Sequence, residues 1–190
     1  MEYLKQKILK EGIIKEGCIL KVDSFLNHQI DVEFLNEVGK EFKRRFSDKE
    51  VTKILTVEAS GIAIAVMTAQ YFNVSVLFAK KVESSNMDES TYESEVYSYT
   101  RGKTYKIRIS RNYLSKDDKV LVIDDFLANG SAALGLVNLV KSAGAELSGI
   151  GIVIEKSFQD GGKRLREKGI NLHSLVRVEF DSENNIVFKY

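Results

Sequence analysis

The chain has 190 residues, 44% of them hydrophobic, with 28 Lys and Arg against 27 Asp and Glu for a formal net charge of +1. That size suits one domain with a sizeable core, and the near-neutral, scattered charge argues against nucleic acid as a partner. A single cysteine, Cys18, excludes an internal disulfide framework, and neither the charged start MEYLKQKILKEG nor any later stretch offers a signal-peptide core or the roughly 18 apolar residues of a membrane span, so a chain that is neither secreted nor membrane-bound is expected. From the N-terminus, residues 3–10 read as a short helix ended near Gly12, and 19–22 as an extended piece. Apolar positions 34, 35, 38, 42 and 46 predict an amphipathic helix over 31–46 with Asp31 as its cap. Lys53–Val57 (KILTV) reads as a buried strand, 62–71 as an apolar helix and 75–79 (SVLFA) as the next strand, a βαβ unit with a right-handed crossover. Residues 80–110 are polar. Alternation at 95–99 and 105–109 predicts a protruding antiparallel hairpin turning at 100–103, which is either a lid over a site or a surface hairpin. Residues 119–123 return to the parallel sheet, with a helix following to about 143. A strand at 147–154, a short helix at 161–168 and extended pieces near 175–180 and 186–188 complete the chain.

Residues 120–132 (VLVIDDFLANGSA) carry the most chemistry. An unbroken apolar run marks a strand buried on both faces. Asp124 and Asp125 follow, then the small-residue turn Ala128, Asn129, Gly130, Ser131 and Ala132 leading into an apolar-periodic helix. Unpaired N–H groups and the positive dipole end at a helix start suit a phosphate. Adjacent carboxylates at the C-terminal end of a parallel strand suit ribose hydroxyls or a hydrated Mg²⁺. A phosphate beside a sugar describes a cradle for ribose 5-phosphate. The motif lacks the Gly-Lys of a P-loop. The plainer alternative, an Asp cap after a buried strand, needs only one carboxylate.

Ala59, Ser60 and Gly61 form a second strand-to-helix turn whose amides suit a pyrophosphate. Lys80 and Lys81 leave the third strand at the same edge and either neutralise that pyrophosphate or form a solvated strand end. Glu155-Lys156 ends the strand at 147–154. In isolation it reads as a surface pair, but Lys156 also suits donation to a carbonyl or ring nitrogen of a base. Phe158 stacks on that base or joins the core. Asn27 both donates and accepts, as reading a base edge requires. His28, His173 and Cys18 lie too far apart for a zinc site, and Cys18 lacks a base partner for nucleophilic catalysis.

The motif at 120–132 resembles the 5-phosphoribosyl diphosphate (PRPP) motif of type I phosphoribosyltransferases. Taken with LKVDSFLNHQID (20–31), EASGIA (58–63) and GIGIVIEKSFQ (149–159), the chain resembles the bacterial xanthine phosphoribosyltransferases from its first helix to about residue 180. The resemblance implies an α/β type I phosphoribosyltransferase fold. A mostly parallel central sheet is flanked by helices (core about 31–154), with a small hood from about 1–30 and 155–190 and a flexible hairpin lid at about 82–110. It implies a cytoplasmic homodimer of purine salvage. The reaction moves the phosphoribosyl group of PRPP to xanthine, giving xanthosine 5′-monophosphate and diphosphate, with Mg²⁺ carried by PRPP and no organic cofactor. Leu20 and Asn27 would contact xanthine from the hood and Lys156 from the other side. Ala128 to Ala132 would bind the 5′-phosphate, and Asp124 and Asp125 would address the ribose. Ser131 stands where Gln or Thr also suits the family, and 84–96 match it weakly. Two rivals share the donor: an enzyme for guanine, hypoxanthine or adenine, separated by its hood, and a non-catalytic PRPP-sensing regulator, which would carry an added DNA-binding domain.

Overall fold

A computed structural model of the chain describes residues 1–15, 19–81, 90–99 and 102–189. Cys18, the start of the expected lid at 82–89 and part of the hairpin turn at 100–101 lie outside the described residues.

Helix α1 (Glu2–Glu11) buries Leu4 and Ile8 and gives way at Gly12 to a small antiparallel ladder of β1 (Ile13–Lys15) and β2 (Ile19–Lys21). β1 leaves no mark in the sequence, because three residues carry too little periodicity to signal a strand. A five-residue π-helical turn, Asp23–Asn27, follows. In α2 (Val32–Arg45) the Asp31 carboxylate caps the first turn by accepting from Phe34 N at 3.0 Å. The positions picked out by helical spacing, Phe34, Leu35, Val38, Phe42 and Phe46, are all buried.

Among the described residues the main sheet has eight strands. In chain order, with the helices between them, they are β3 (Lys53–Val57), α3 (Ser60–Phe72), β4 (Ser75–Lys81), β5 (Thr91–Ser98), β6 (Lys103–Ser110), β7 (Lys119–Leu127), α4 (Ser131–Ser142), β8 (Glu146–Lys156), α5 (Gly161–Glu167), β9 (Leu172–Phe180) and β10 (Ile186–Lys189). Across the sheet the order is β10-β9-β8-β7-β3-β4-β6-β5. The five strands from β9 to β4 are mutually parallel, and antiparallel strands close both edges. The hairpin does not stand free of the sheet. Lys80 and Lys81 pair with Arg108 and Ile107, which draws β4 two residues past its expected end and makes β6 and β5 the continuation of the sheet.

Two apolar layers sandwich the parallel strands. On one face Ile54, Leu121, Ile123 and Val153 pack with α2 and α3 (Phe34, Phe42, Ile64). On the other, Leu55, Val120, Val122, Ile150 and Ile152 pack with α4 (Leu136, Leu139) and the hairpin's Val96 and Ile107. β3–α3–β4 steps toward one edge of the sheet and β7–α4–β8 toward the other. The winding therefore reverses between β3 and β7, which is where open α/β sheets leave a crevice at their C-terminal ends.

Candidate active site

The strand carrying the acidic pair is longer than its apolar run. β7 continues its ladder with β8 through Asp124 (opposite Ile152), Phe126 (opposite Ile154) and Leu127 (opposite Glu155), so both carboxylates sit within the strand near its C-terminal end. They are nearly enclosed, Asp124 at 5% and Asp125 at 8% exposure. Asp124 Oδ1 accepts from the Asp125 N–H at 3.0 Å. Burial, and after it the repulsion of the neighbouring carboxylate, pushes the Asp124 carboxyl well above the ordinary carboxylate range. Hydroxyl donors or a cation at this point would relieve that repulsion.

The two small-residue turns flank the pair. β7 leads into Ala128 to Gly130, with Gly130 in the left-handed region at φ 80°, and α4 starts at Ser131. This turn and the Tyr97, Tyr99 and Tyr105 side of the hairpin line a cleft of about 160 Å³. On the neighbouring strand, β3 leads through a cis Glu58–Ala59 peptide into α3 at Ser60. The Glu58 carboxylate accepts from Lys81 N at 2.6 Å, and Glu58 N donates to Ala79 O at 3.1 Å, so this turn is fastened to the end of β4. Gly61 is wedged against the acidic strand. A Cβ there would lie 2.0 Å from Thr56 Oγ1 and 3.1 Å from Asp124 Oδ1. Thr56 Oγ1 is fully buried and has no hydrogen-bond partner among the described residues.

The two lysines part company, as alternation along a strand requires. Lys81 holds its ammonium 5.7 Å from the Tyr105 ring and acts electrostatically on Asp124. Lys80 instead lines a larger cavity of about 620 Å³ running along β4 with Lys53, Arg108 and Tyr113. That cavity holds none of the acidic or turn residues, so its greater size does not make it the reactive centre.

Lys156, the last residue of β8, is half-buried, and its ammonium lies 5.1 Å from the Phe126 ring. Burial lowers its pKa, while Asp125 pulls the other way. The surface pairing of Glu155 with Lys156 does not occur. Glu155 is 2% exposed and turns inward to Arg166, with both oxygens bonded at 2.7 Å. Phe158 is half exposed and meets Phe180 edge-on at 5.4 Å, outside the core. His173 packs edge-on against Phe46 at 4.8 Å, consistent with a packing role. Leu20 and Asn27 belong to the N-terminal segment, which docks on β9 and β10 through Met1 N to Leu175 O (3.0 Å) and Lys5 over Phe188. Leu20 is 4% exposed within the core, and Asn27 is exposed.

Two strand-to-helix turns on adjacent parallel strands, a buried acidic pair beside them and a cation at the end of the next strand form an arrangement able to hold a sugar phosphate. The phosphoribosyl transferase domain model matches residues 26–181, and the chain belongs to this family of pentosyl-transferring enzymes. It is 60% identical over 189 residues, the full length of both chains, to the xanthine phosphoribosyltransferase of Clostridium novyi (strain NT). It is also 60% identical over 188 residues (99% of each chain) to that of Ruminiclostridium cellulolyticum. Solved structures share the fold. The adenine phosphoribosyltransferase of Thermoanaerobacter pseudethanolicus aligns with a TM-score of 0.75 at 21% identity, over 92% of this chain and 99% of the other. The adenine enzyme of Trypanosoma brucei, in complex with AMP, pyrophosphate and ribose-5-phosphate, aligns with a TM-score of 0.79 at 20% identity, over 95% and 82%. Residue type and spacing did not single out Thr56, the fastening of Glu58 to Lys81 N, the Glu155–Arg166 pair or the Gly161-Gly162 step beneath the first turn. Only the doubled glycine left a trace in the sequence.

Proposed function

We propose that the protein transfers the 5-phosphoribosyl group of PRPP to xanthine, forming xanthosine 5′-monophosphate and diphosphate in purine salvage. The single observation that carries the reaction is the pair of turns at 58–61 and 128–132, on adjacent strands with Asp124 and Asp125 between them. Full-length likeness to xanthine phosphoribosyltransferases supports the choice of base.

In this reading Ala128, Asn129, Gly130, Ser131 and Ala132 hold the 5′-phosphate on backbone amides at the start of α4. Ala59, Ser60 and Gly61, with Lys81, receive the diphosphate. Asp124 and Asp125 accept the ribose hydroxyls and offset positive charge as C1 becomes oxocarbenium-like. The C1–diphosphate bond breaks, its electron pair leaving with the diphosphate, as a purine ring nitrogen bonds to C1; the proton that the ring gives up passes to the diphosphate or to water, and no covalent enzyme intermediate is required. The residues contribute positioning and fixed charge. Mg²⁺ carried by PRPP would neutralise the diphosphate. Two adjacent buried carboxylates that repel each other suit its waters as well as the ribose. Lys156 and Asn27 read the base edge, with Leu20 lining the hood. A base presenting the wrong group at a buried donor costs about 1–3 kcal/mol. Lys80 faces the cavity along β4 and has no part in this reading of the diphosphate site. A hood from about 1–30 and 155–190, a lid over 82–110, a homodimer and a cytoplasmic setting belong to the same reading. No helix among the described residues is long and apolar enough to cross a membrane.

The test is PRPP- and Mg²⁺-dependent nucleotide formation with xanthine, guanine, hypoxanthine and adenine in parallel. Xanthine is expected to give the highest kcat/KM. Preference for another base would move the assignment to a sister enzyme, and no product with any base would end it.

A further inference from the structure

The short helix α5 contains none of the positions assigned above, yet the 128–132 turn rests on it. Gly161 N donates to Ala128 O at 3.0 Å, and Arg164 Nη1 donates to Asn129 O at 3.2 Å. The backbones abut: a Cβ on Gly161 would fall 2.2 Å from Ala128 O and 2.7 Å from Gly130 N. In a trans peptide the N–H points opposite to the C=O. With the Ala128 and Asn129 carbonyls bonded toward α5, the N–H groups of Asn129 and Gly130 face away from it, ready for an anion.

At seven residues α5 is too short to hold itself, and its Asp160 N-cap makes no side-chain cap bond. Leu165 is buried, and Arg166 forms a two-pronged pair with Glu155, 2.7 Å at each contact. The Glu155 carboxylate also accepts from the Ser174 hydroxyl and lies 3.4 Å from Arg177 Nε. The fit tolerates no side chain at Gly162, where a Cβ would lie 2.1 Å from Glu155 Oε1. Burial would raise the Glu155 pKa, but Arg166 and Ser174 outweigh it and hold the group below its ordinary value, charged. A continuous path runs from Glu155 at the end of β8, through Arg166 and α5, to the carbonyl of Ala128.

We infer that α5 is a buttress for the 128–132 turn and that Arg166, held by Glu155, is a positioning residue for PRPP capture. The inference rests on the phosphate role proposed for that turn. The amides bind the 5′-phosphate in ground and transition states alike, so loosening the buttress weakens donor affinity and leaves turnover at saturation nearly intact.

The test is steady-state kinetics of Arg166→Ala, Arg166→Lys and Gly161→Ala, varying PRPP at saturating xanthine and the reverse. Arg166→Ala is expected to raise KM for PRPP about tenfold or more, with kcat and KM for xanthine within about threefold of wild type. Arg166→Lys should restore most of the lost PRPP affinity. Gly161→Ala leaves Glu155 and Arg166 in place and pushes on Ala128 directly, so it should show the same split even where Arg166→Ala fails to fold. Simple destabilisation lowers the active fraction, and with it the apparent kcat, without raising KM. A folded variant with a PRPP KM within about twofold of wild type, or a fall in kcat at constant KM, overturns the buttress. A wild-type protein that makes no nucleotide from PRPP overturns the underlying proposal instead.

Discussion

Gly61→Ala places one methyl group between the two halves of the proposed site. Its Cβ would lie 2.0 Å from Thr56 Oγ1, and ordinary contact begins near 3.4 Å, so something must yield by about 1.4 Å. Thr56 is fully buried and β-branched, which leaves its side chain little rotational freedom. Overpacking of this kind costs about 1–3 kcal/mol of stability. If the turn moves instead, a displacement near 1 Å costs on the order of 10²-fold in rate. The hydroxyl in the way has no hydrogen-bond partner among the described residues, so removing it breaks no bond. Thr56→Ala alone should cost only the transfer energy of one buried methyl, about 1 kcal/mol. The double variant Gly61→Ala/Thr56→Ala should then recover at least about 1 kcal/mol relative to the sum of the single losses, and at least about tenfold in kcat/KM. Urea unfolding and a PRPP titration with xanthine read the two quantities. Gly61→Ala within about 0.5 kcal/mol and threefold of wild type, or single losses that simply add, would refute the reasoning.

Asp124→Asn replaces a buried carboxyl whose ionisation burial and its neighbour oppose, and the amide can donate to Asp125. Its thermal midpoint without ligands at pH 7.5 should rise while turnover falls at least about 10²-fold; a lowered midpoint would contradict the electrostatic picture. Asn27→Ala should lose more kcat/KM with xanthine than with guanine, and equal losses would remove Asn27 from base selection. Glu41, paired first with Arg44 and then with Arg45, has its pKa lowered from 4.5 to about 2. A depressed carboxylate stabilises the fold above its unfolded value, and that contribution disappears as pH falls from about 4.5 toward 2. Urea midpoints over this range should fall less steeply for Glu41→Gln than for wild type, and parallel curves would show the pair to be thermodynamically silent.

Most of the parallel layer was legible because its strands are buried on both faces, and such strands announce themselves as unbroken apolar runs: KILTV in β3 and VLVI in β7. α2 was legible for the complementary reason, a regular apolar stripe behind an Asp cap. Strand ends were not. β7 runs on through Asp124 and Asp125 because β8 pairs with it there, and β4 runs on through Lys80 and Lys81 because β6 does. A partner far away in sequence overrides the local preference of charged residues against strand. The acidic pair and both turns could be picked out by residue type and spacing. The opposite orientations of Lys80 and Lys81 required the register, and the inward turn of Glu155 required Arg166 and Ser174 to be seen beside it. Thr56 gave no signal, since a threonine in an apolar strand reads as filler until the space around its hydroxyl is known.

The antiparallel strands that close both margins of the sheet also bear on how the molecule behaves in a crowd. An open run of unpaired backbone amides invites a stranger's strand to join it. Here one border strand, β5, carries outward-facing Glu93 and Glu95, with Glu93 held by Lys106 and Arg108 of β6. The opposite border, β10, is only four residues long. A newcomer at either side finds acid or almost nothing to grip, so the valine- and isoleucine-rich interior stays walled off from stacking into fibres.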